Sequence, residues 1–169
     1  MSRGNAAPPL VANLRKQTAR LAVWTAATVL LCALNMLGRS EASFPPIMMV
    51  STLPASVSAG AEGYVRHNDA HIYLVTTGGN FRDAQGSITR CGNTNAVRKI
   101  ASVLIHEEAH LRQAADERTA YQAQLTTLTA LGAGPGSAPY QEAFRAMQRA
   151  LRQQRREPVP AGLMASATP

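Results

Sequence analysis

The sequence predicts an α+β domain, in which a short β-hairpin or sheet is followed by three helices and preceded by an apolar amino-terminal helix. Three observations lead to this prediction. Two short runs rich in β-forming residues flank a turn at Asn68-Asp69, apolar residues recur at helical spacing in the second half of the chain, and residues 21–37 carry no charge. The 169 residues leave room for one domain of ordinary size.

The amino terminus predicts export from a bacterial cytoplasm. Residues 1–20 contain four cations and no acidic residue, and we expect them to form a basic cytoplasmic arm. The apolar run that follows is near the lower limit for crossing a bilayer, so residues 21–38 are predicted to be a transmembrane anchor or a signal peptide. Retention gives a single-pass protein of the cell membrane with its carboxyl-terminal domain outside. Cleavage after Ala42 gives a secreted or periplasmic protein.

A linker and a pair of strands come next. Residues 39–61 are rich in Pro, Ser and Ala and are predicted to link the membrane segment to the domain, with Ile47–Val50 as the one stretch that has a reason to pack. Gly63–Arg66 and His71–Thr76 are predicted strands. A loop is expected from Gly78 as far as residue 93.

Cysteine and charge give weaker constraints. Cys32 falls in the apolar run predicted for the membrane, so Cys91 is expected to be alone in the folded part, without a disulfide framework. The net charge of +7 is concentrated in the amino-terminal arm and the last helix. Such a distribution suits anionic membrane surfaces at least as well as nucleic acid.

Three helices complete the predicted domain, which spans residues 62–157. Thr94 or Asn95 caps the first, which runs to about Gln113, and Asp116 caps a second that extends from Glu117 to about residue 131. The third begins near Pro139, and a disordered tail is expected over residues 158–169.

The last helix carries two stripes. Its apolar stripe is predicted to face the core and consists of Tyr140, Phe144, Met147 and Leu151. Its basic stripe is predicted to be a solvated face, with contact to anionic lipid headgroups as the alternative, and consists of Arg145, Arg149, Arg152 and Arg156.

The most informative stretch is His106-Glu107-Glu108-Ala109-His110. Two histidines four residues apart project from one face of a helix, where both imidazoles can reach a single metal ion. Glu107 follows the first histidine directly, so its carboxylate lies beside the metal and can take a proton from water there. Glu108 is expected to be exposed or to support the site from outside.

A catalytic zinc site commonly uses a third protein ligand, and two acidic residues follow the motif. On an unbroken helix Glu117 would lie roughly 10 Å beyond His110 along the axis and could not reach the ion. A turn over residues 113–115 with Asp116 as a cap brings Glu117 back level with His110. Asp116 stays open as the alternative third ligand, because both carboxylates are acceptable oxygen donors.

These residues resemble those of the zincin metallopeptidases, and in particular the gluzincin branch, over residues 96–131. The resemblance implies that His106, His110 and Glu117 bind Zn²⁺, that Glu107 is the general base, and that His71–Thr76 is the edge strand along which substrate lies. The spacing to the third ligand is tighter than in the better-known gluzincins. The metzincin pattern would select Asp116, but Gln113 stands where that pattern has Gly.

The predicted function is therefore a zinc-dependent peptidase that acts on peptide or protein substrates outside the cytoplasm. The alternative is a non-catalytic, zinc-stabilised interaction module tethered to the membrane. Nucleic-acid binding is disfavoured, since no binding motif accompanies the arginines. Tyr121, His67 and His71 are candidate donors to the oxyanion, but we expect Tyr121 in the core and both histidines in a surface turn.

Overall fold

The computed structural model describes residues 26–66, 68–86 and 95–155, and within these ranges the chain forms an α+β domain. The helices are α1, of which residues 26–36 are described, α2 (Gly79–Gly86), α3 (Asn95–Gln113), α4 (Glu117–Ala130) and α5 (Ala138–Gln154). The strands are β1 (Ile47–Val50), β2 (Gly63–Arg66) and β3 (Asp69–Val75). Predictions for residues 1–20, His67, Cys91, Arg156 and the tail from residue 158 lie outside the described residues.

The three strands form one sheet in the order β1-β3-β2, with β1 parallel and β2 antiparallel to β3. The predicted hairpin is confirmed, although β3 begins at Asp69 rather than at His71. β1 lies in the segment predicted as a linker. Its four residues pair along their whole length with residues 72–75 of β3, a long-range pairing that composition does not reveal.

This topology corrects the predicted edge strand. His71–Thr76 was expected at the edge, but β3 lies in the middle of the sheet because β1 covers its second side. β2 is one of the two edge strands, and it contacts α3. A β-bulge between Val65 and Arg66 interrupts its pairing with β3 near the turn.

The main hydrophobic core includes α1. Val29, Leu30, Ala33 and Leu34 are buried together with side chains of β3, α2 and α3. Cys32 is also buried and is disulfide-bonded, which corrects the expectation of a chain without a disulfide. Apolar residues on all sides of a short helix are equally suited to lipid and to a protein core, so sequence did not separate the two.

Within residues 26–66, 68–86 and 95–155, no helix combines the length and the apolarity that a bilayer crossing requires. The anchor or signal function of residues 21–38 stays a prediction, since the described residues begin at position 26.

Helix α2 replaces part of the predicted loop. Its residues GNFRDAQG contain two glycines and have little helical propensity, yet Phe81 and Ala84 are completely or almost completely buried in the core. Tertiary burial of these two side chains therefore stabilises a helix that local propensity disfavours.

The chain reverses sharply between α3 and α4, as predicted. Ala114 has a positive φ of 45°, and the N–H of Ala115 donates to the carbonyl oxygen of Ala109 at 3.3 Å, which ends α3. Asp116 then caps α4, since its carboxylate accepts a hydrogen bond from the backbone N–H of Thr119 at 2.8 Å. The break and the cap are both confirmed.

Helix α5 begins where predicted, but its apolar stripe is less buried than expected. Phe144 is 39% exposed, and Tyr140 and Met147 are only partly buried. The fully buried contact with α4 is made by the small residue Ala143, together with Leu125 and Leu128. A small residue allows two helices to approach closely, which leaves the larger side chains at the rim of the contact.

Candidate metal site

Three side chains converge on one point between α3 and α4. The Nε2 atoms of His106 and His110 are 3.1 Å apart, and the Glu117 carboxylate oxygens lie 3.7 Å from the first nitrogen and 3.6 Å from the second. All candidate ligand atoms lie within 4.8 Å of one another. Among the described residues this is the group of histidines, cysteines and acids that could hold a metal ion.

The turn after α3 orients the second histidine. Nδ1 of His110 is 2.8 Å from the carbonyl oxygen of Ala115, which can only accept, so Nδ1 carries the proton and donates it. Nε2 of His110 is then left with a lone pair that points into the site. Metal-binding histidines are typically held in this way by a backbone carbonyl.

Burial holds the first histidine in its neutral form. His106 is almost fully buried, and this burial lowers its pKa to about 3, with smaller electrostatic contributions in the same direction from His110 and Lys99. The backbone of Ala120 acts weakly in the opposite direction. A neutral imidazole is the form that binds a metal ion.

Glu107 is buried beside this cluster. Burial, assisted by the nearby carboxylate of Glu117, raises its pKa to about 8. It makes no ion pair with any residue in the described part of the chain. An acid that is buried without a compensating cation is costly for a fold, and such acids are typical of candidate functional sites.

The edge strand β2 lies directly against this acid. A Cβ atom added to Gly63 would come within 2.8 Å of the Val103 side chain and 3.1 Å of the Glu107 side chain. Only glycine allows the backbone of β2 to approach α3 this closely. The alternation of the antiparallel ladder, in which Val75 N–H donates to Glu62 O, leaves the backbone groups of Gly63 on the side away from β3.

Tyr121 belongs to the site rather than to the core, which corrects the sequence prediction. Its ring packs edge-on against His106 with centroids 4.4 Å apart. Burial raises the pKa of its hydroxyl to about 12, and the carboxylates of Glu117 and Glu107 act in the same direction. Its position one turn after Glu117 was the only signal for this role, and that spacing is equally typical of core residues.

The other predicted residues lie elsewhere. Asp116 caps α4 and does not join the cluster. Glu108 points away from the site and pairs with Arg39, at 2.5 and 2.9 Å, and with Arg112 at 3.0 Å. Nδ1 of His71 contacts the Asp69 carboxylate on β3, and His71 does not line the site.

The three donors fit a zinc ion. Ligand atoms that bind a tetrahedral zinc at about 2.0–2.1 Å stand roughly 3.3 Å apart. The two Nε2 atoms are 3.1 Å apart, and the nearest Glu117 oxygen is Oε2 at 3.7 Å for His106 and Oε1 at 3.6 Å for His110, all close to that value. Two imidazoles and one carboxylate are also a ligand set found in catalytic zinc sites, with a fourth position left for water.

Comparisons with protein families, with curated proteins and with solved structures give no match for this chain. The site must therefore be interpreted from its own residues and geometry.

The cluster opens into a groove that sequence analysis did not anticipate. Its volume is about 2090 Å³, and its lining comes from β2 and the preceding loop, from α3 and α4, and from α5. Lys99 and Gln124 also line it, although both are buried. Arg145 and Arg149 belong to the same lining, so part of the stripe predicted to face solvent faces the groove.

Proposed function

We propose that this protein is a zinc-dependent peptidase of the zincin type, in which His106, His110 and Glu117 hold Zn²⁺ and Glu107 is the general base. The observation that supports the proposal most strongly is the convergence of the three donor atoms at zinc-like separations beside a buried, unpaired acid. The helix break at Ala114 supports the choice of Glu117, because Asp116 is used as a cap.

When bound, zinc supplies a lowered pKa for a water molecule and polarisation of the scissile carbonyl. The positive charge of a bound zinc ion would lower the pKa of Glu107 and hold it as a carboxylate. That carboxylate would accept the proton of the attacking water and then deliver it to the nitrogen of the departing amine, as the bond between carbonyl carbon and nitrogen breaks. Ala115 keeps His110 in the tautomer whose Nε2 faces the site. The Tyr121 hydroxyl, protonated at neutral pH, is a candidate donor to the carbonyl oxygen as charge develops there.

The groove favours a polymeric substrate. Pockets for small ligands have volumes of about 300–1,000 Å³, and this groove is larger. The open edge of β2 beside Glu107 gives an extended peptide a strand to pair with, and backbone pairing of this kind recognises peptides of varied sequence. The expected substrate is therefore an extended segment of a peptide or an unfolded protein.

The proposed location is outside the bacterial cytoplasm. The disulfide at Cys32 supports it, because such bonds persist in oxidising compartments. Cleavage after Ala42 would remove α1, its core residues and Arg39, so we favour a mature protein that retains residues 21–38.

The second candidate is a zinc-stabilised interaction module without activity. Its main support was that so small a domain has little surface for a substrate cleft, and the groove removes that support. A purely structural zinc site also has no need of a buried acid beside its ligands. The peptidase is therefore the better candidate.

The test compares two neighbouring glutamates in the zinc-loaded protein. Glu107→Gln should retain zinc and lose activity on a peptide library by about 10²–10⁴-fold, since general-base catalysis contributes that much. Glu108→Gln is the matched control, because Glu108 pairs with Arg39 on the other side of α3, and it should retain activity. Full activity in Glu107→Gln would refute the mechanism, and an inactive wild type that binds zinc would favour the interaction module.

A further inference from the structure

We infer, on the basis of the proposed peptidase function, that Arg145 and Arg149 select substrates that carry a carboxylate close to the cleaved bond. Both residues lie on α5 with exposed side chains, and both line the groove that contains His106 and Glu107. They are four residues apart, so they stand one above the other, separated by about 6 Å along the helix axis.

Arg145 and Arg149 differ from the other two cations that line the groove, Lys99 and Arg66. Lys99 is neutralised by Glu62 at 3.1 Å and lies 4.0 Å from Glu142. Arg66 packs over the ring of Tyr73 at 4.6 Å, and a hydrogen bond with Tyr64 is the main cause of its raised pKa. Within the described part of the chain, Arg145 and Arg149 have no carboxylate within 4.0 Å.

Arg149 lines the groove together with Tyr121. The Tyr121 ring in turn contacts His106. A group held by Arg149 would therefore lie near the metal ligands, whereas a group held by Arg145 would lie about one helical turn further along the groove.

A guanidinium group is well suited to this task. Its fixed fork of N–H donors matches the two oxygens of a carboxylate, and the paired hydrogen bonds give direction as well as affinity. Arg152 lies on the same helix and is exposed, but it does not line the groove. A lipid surface would contact the outer face of α5, so the concave position of Arg145 and Arg149 favours a peptide.

The experiment uses octapeptides that the zinc-loaded full chain cleaves. Each is made with Glu or Gln next to the cleaved bond, and with a free or an amidated carboxyl terminus. Wild type should prefer one charged form, and that form identifies the source of the carboxylate. Arg149→Gln and Arg145→Gln should each raise KM for it on the order of tenfold, as expected for a lost charge-assisted hydrogen bond, with zinc content unchanged. KM for the uncharged forms should rise much less, so the preference for the charged form should be lost.

Arg152→Gln is the control and should leave all four forms unaffected. Equal cleavage of charged and uncharged peptides by wild type would overturn the inference, as would a loss in Arg152→Gln equal to that in Arg149→Gln. The inference would also be overturned if Arg145→Gln and Arg149→Gln abolished binding to phosphatidylserine vesicles but kept the preference for the charged peptide.

If no peptide is cleaved, the proposed function fails, and binding of the same peptides to the zinc-loaded protein tests the arginines separately. Tighter binding of a charged form, weakened in Arg149→Gln, would support the inference. Equal binding of charged and uncharged forms would contradict it.

Discussion

Helix α1 and the α3–α4 hairpin lie in one domain but bury different kinds of side chain. The buried residues of α1 are apolar or disulfide-bonded. Helices α3 and α4 bury five polar or charged residues, namely Lys99, Ser102, His106, Glu107 and Gln124. Burial of apolar groups stabilises a fold, whereas burial of polar groups costs free energy unless they are fully paired.

The five buried polar residues differ in whether their polar groups have partners. Lys99 has ion-pair partners, and Gln124 donates to Ser102, whose hydroxyl donates to a backbone carbonyl. Nδ1 of His106 is buried without a hydrogen bond, and Glu107 lacks an ion pair among the described residues. Substitutions in α1 should therefore reduce stability, whereas substitutions of His106 or Glu107 should reduce function instead.

The largest expected effect is on stability and comes from α1. Leu34→Ala should lower the free energy of unfolding by about 2–5 kcal/mol, because Leu34 is 2% exposed in the core. Leu31 is 53% exposed and three residues away, so Leu31→Ala should change stability by less than about 0.5 kcal/mol. Urea denaturation of both variants checks this. Equal effects at the two leucines would mean that α1 does not pack as described.

The disulfide at Cys32 should contribute a comparable amount. Cys32→Ser should cost about 2–4 kcal/mol, since a disulfide restricts the unfolded chain. Thermal unfolding with and without a reductant separates the disulfide from simple packing. The Tm of wild type should fall on reduction while that of Cys32→Ser stays constant, and a wild type that is insensitive to reductant would contradict the prediction.

Substitution of the buried acid in the candidate metal site should raise stability instead of lowering it. Glu107→Met replaces a buried acid by an apolar side chain of similar volume, so the metal-free protein should become more stable by about 1 kcal/mol, while zinc is retained and hydrolysis is lost. Denaturation in the presence of a chelator measures the first effect. A variant that is clearly less stable than wild type would show that Glu107 supports the fold.

The smallest expected change concerns the turn that brings Glu117 back to the histidines. Ala114 adopts a positive φ of 45°, which glycine adopts at no steric cost. Ala114→Gly should therefore leave zinc content unchanged and raise stability by up to about 1 kcal/mol. A loss of zinc in this variant would indicate that the turn does more than reverse the chain.

Local sequence signals predicted the α3–α4 hairpin and its candidate metal site, because each signal acts over a few residues. The spacing of His106 and His110, the cap at Asp116 and the break before Glu117 are all short-range features, and each is present in the structure. The helix bounds of α3 and α5 follow for the same reason.

The remainder of the fold depends on contacts between distant residues. Strand β1 exists because it pairs with β3, and α2 exists because Phe81 is buried. Helix α1 has a composition that suits lipid as well as a core. Tyr121 and the two groove arginines have spacings that suit a core or a solvated face, so only the assembled structure assigns them to the groove.

The central claim is that two imidazoles and the Glu117 carboxylate form one metal site. The most direct measurement is the zinc content of the purified full chain and of two neighbouring variants, Glu117→Ala and Asp116→Ala. Wild type and Asp116→Ala should contain one zinc ion per chain, and Glu117→Ala should lose most of it. A wild type without affinity for zinc, or a Glu117→Ala variant that retains it while Asp116→Ala does not, would contradict the account.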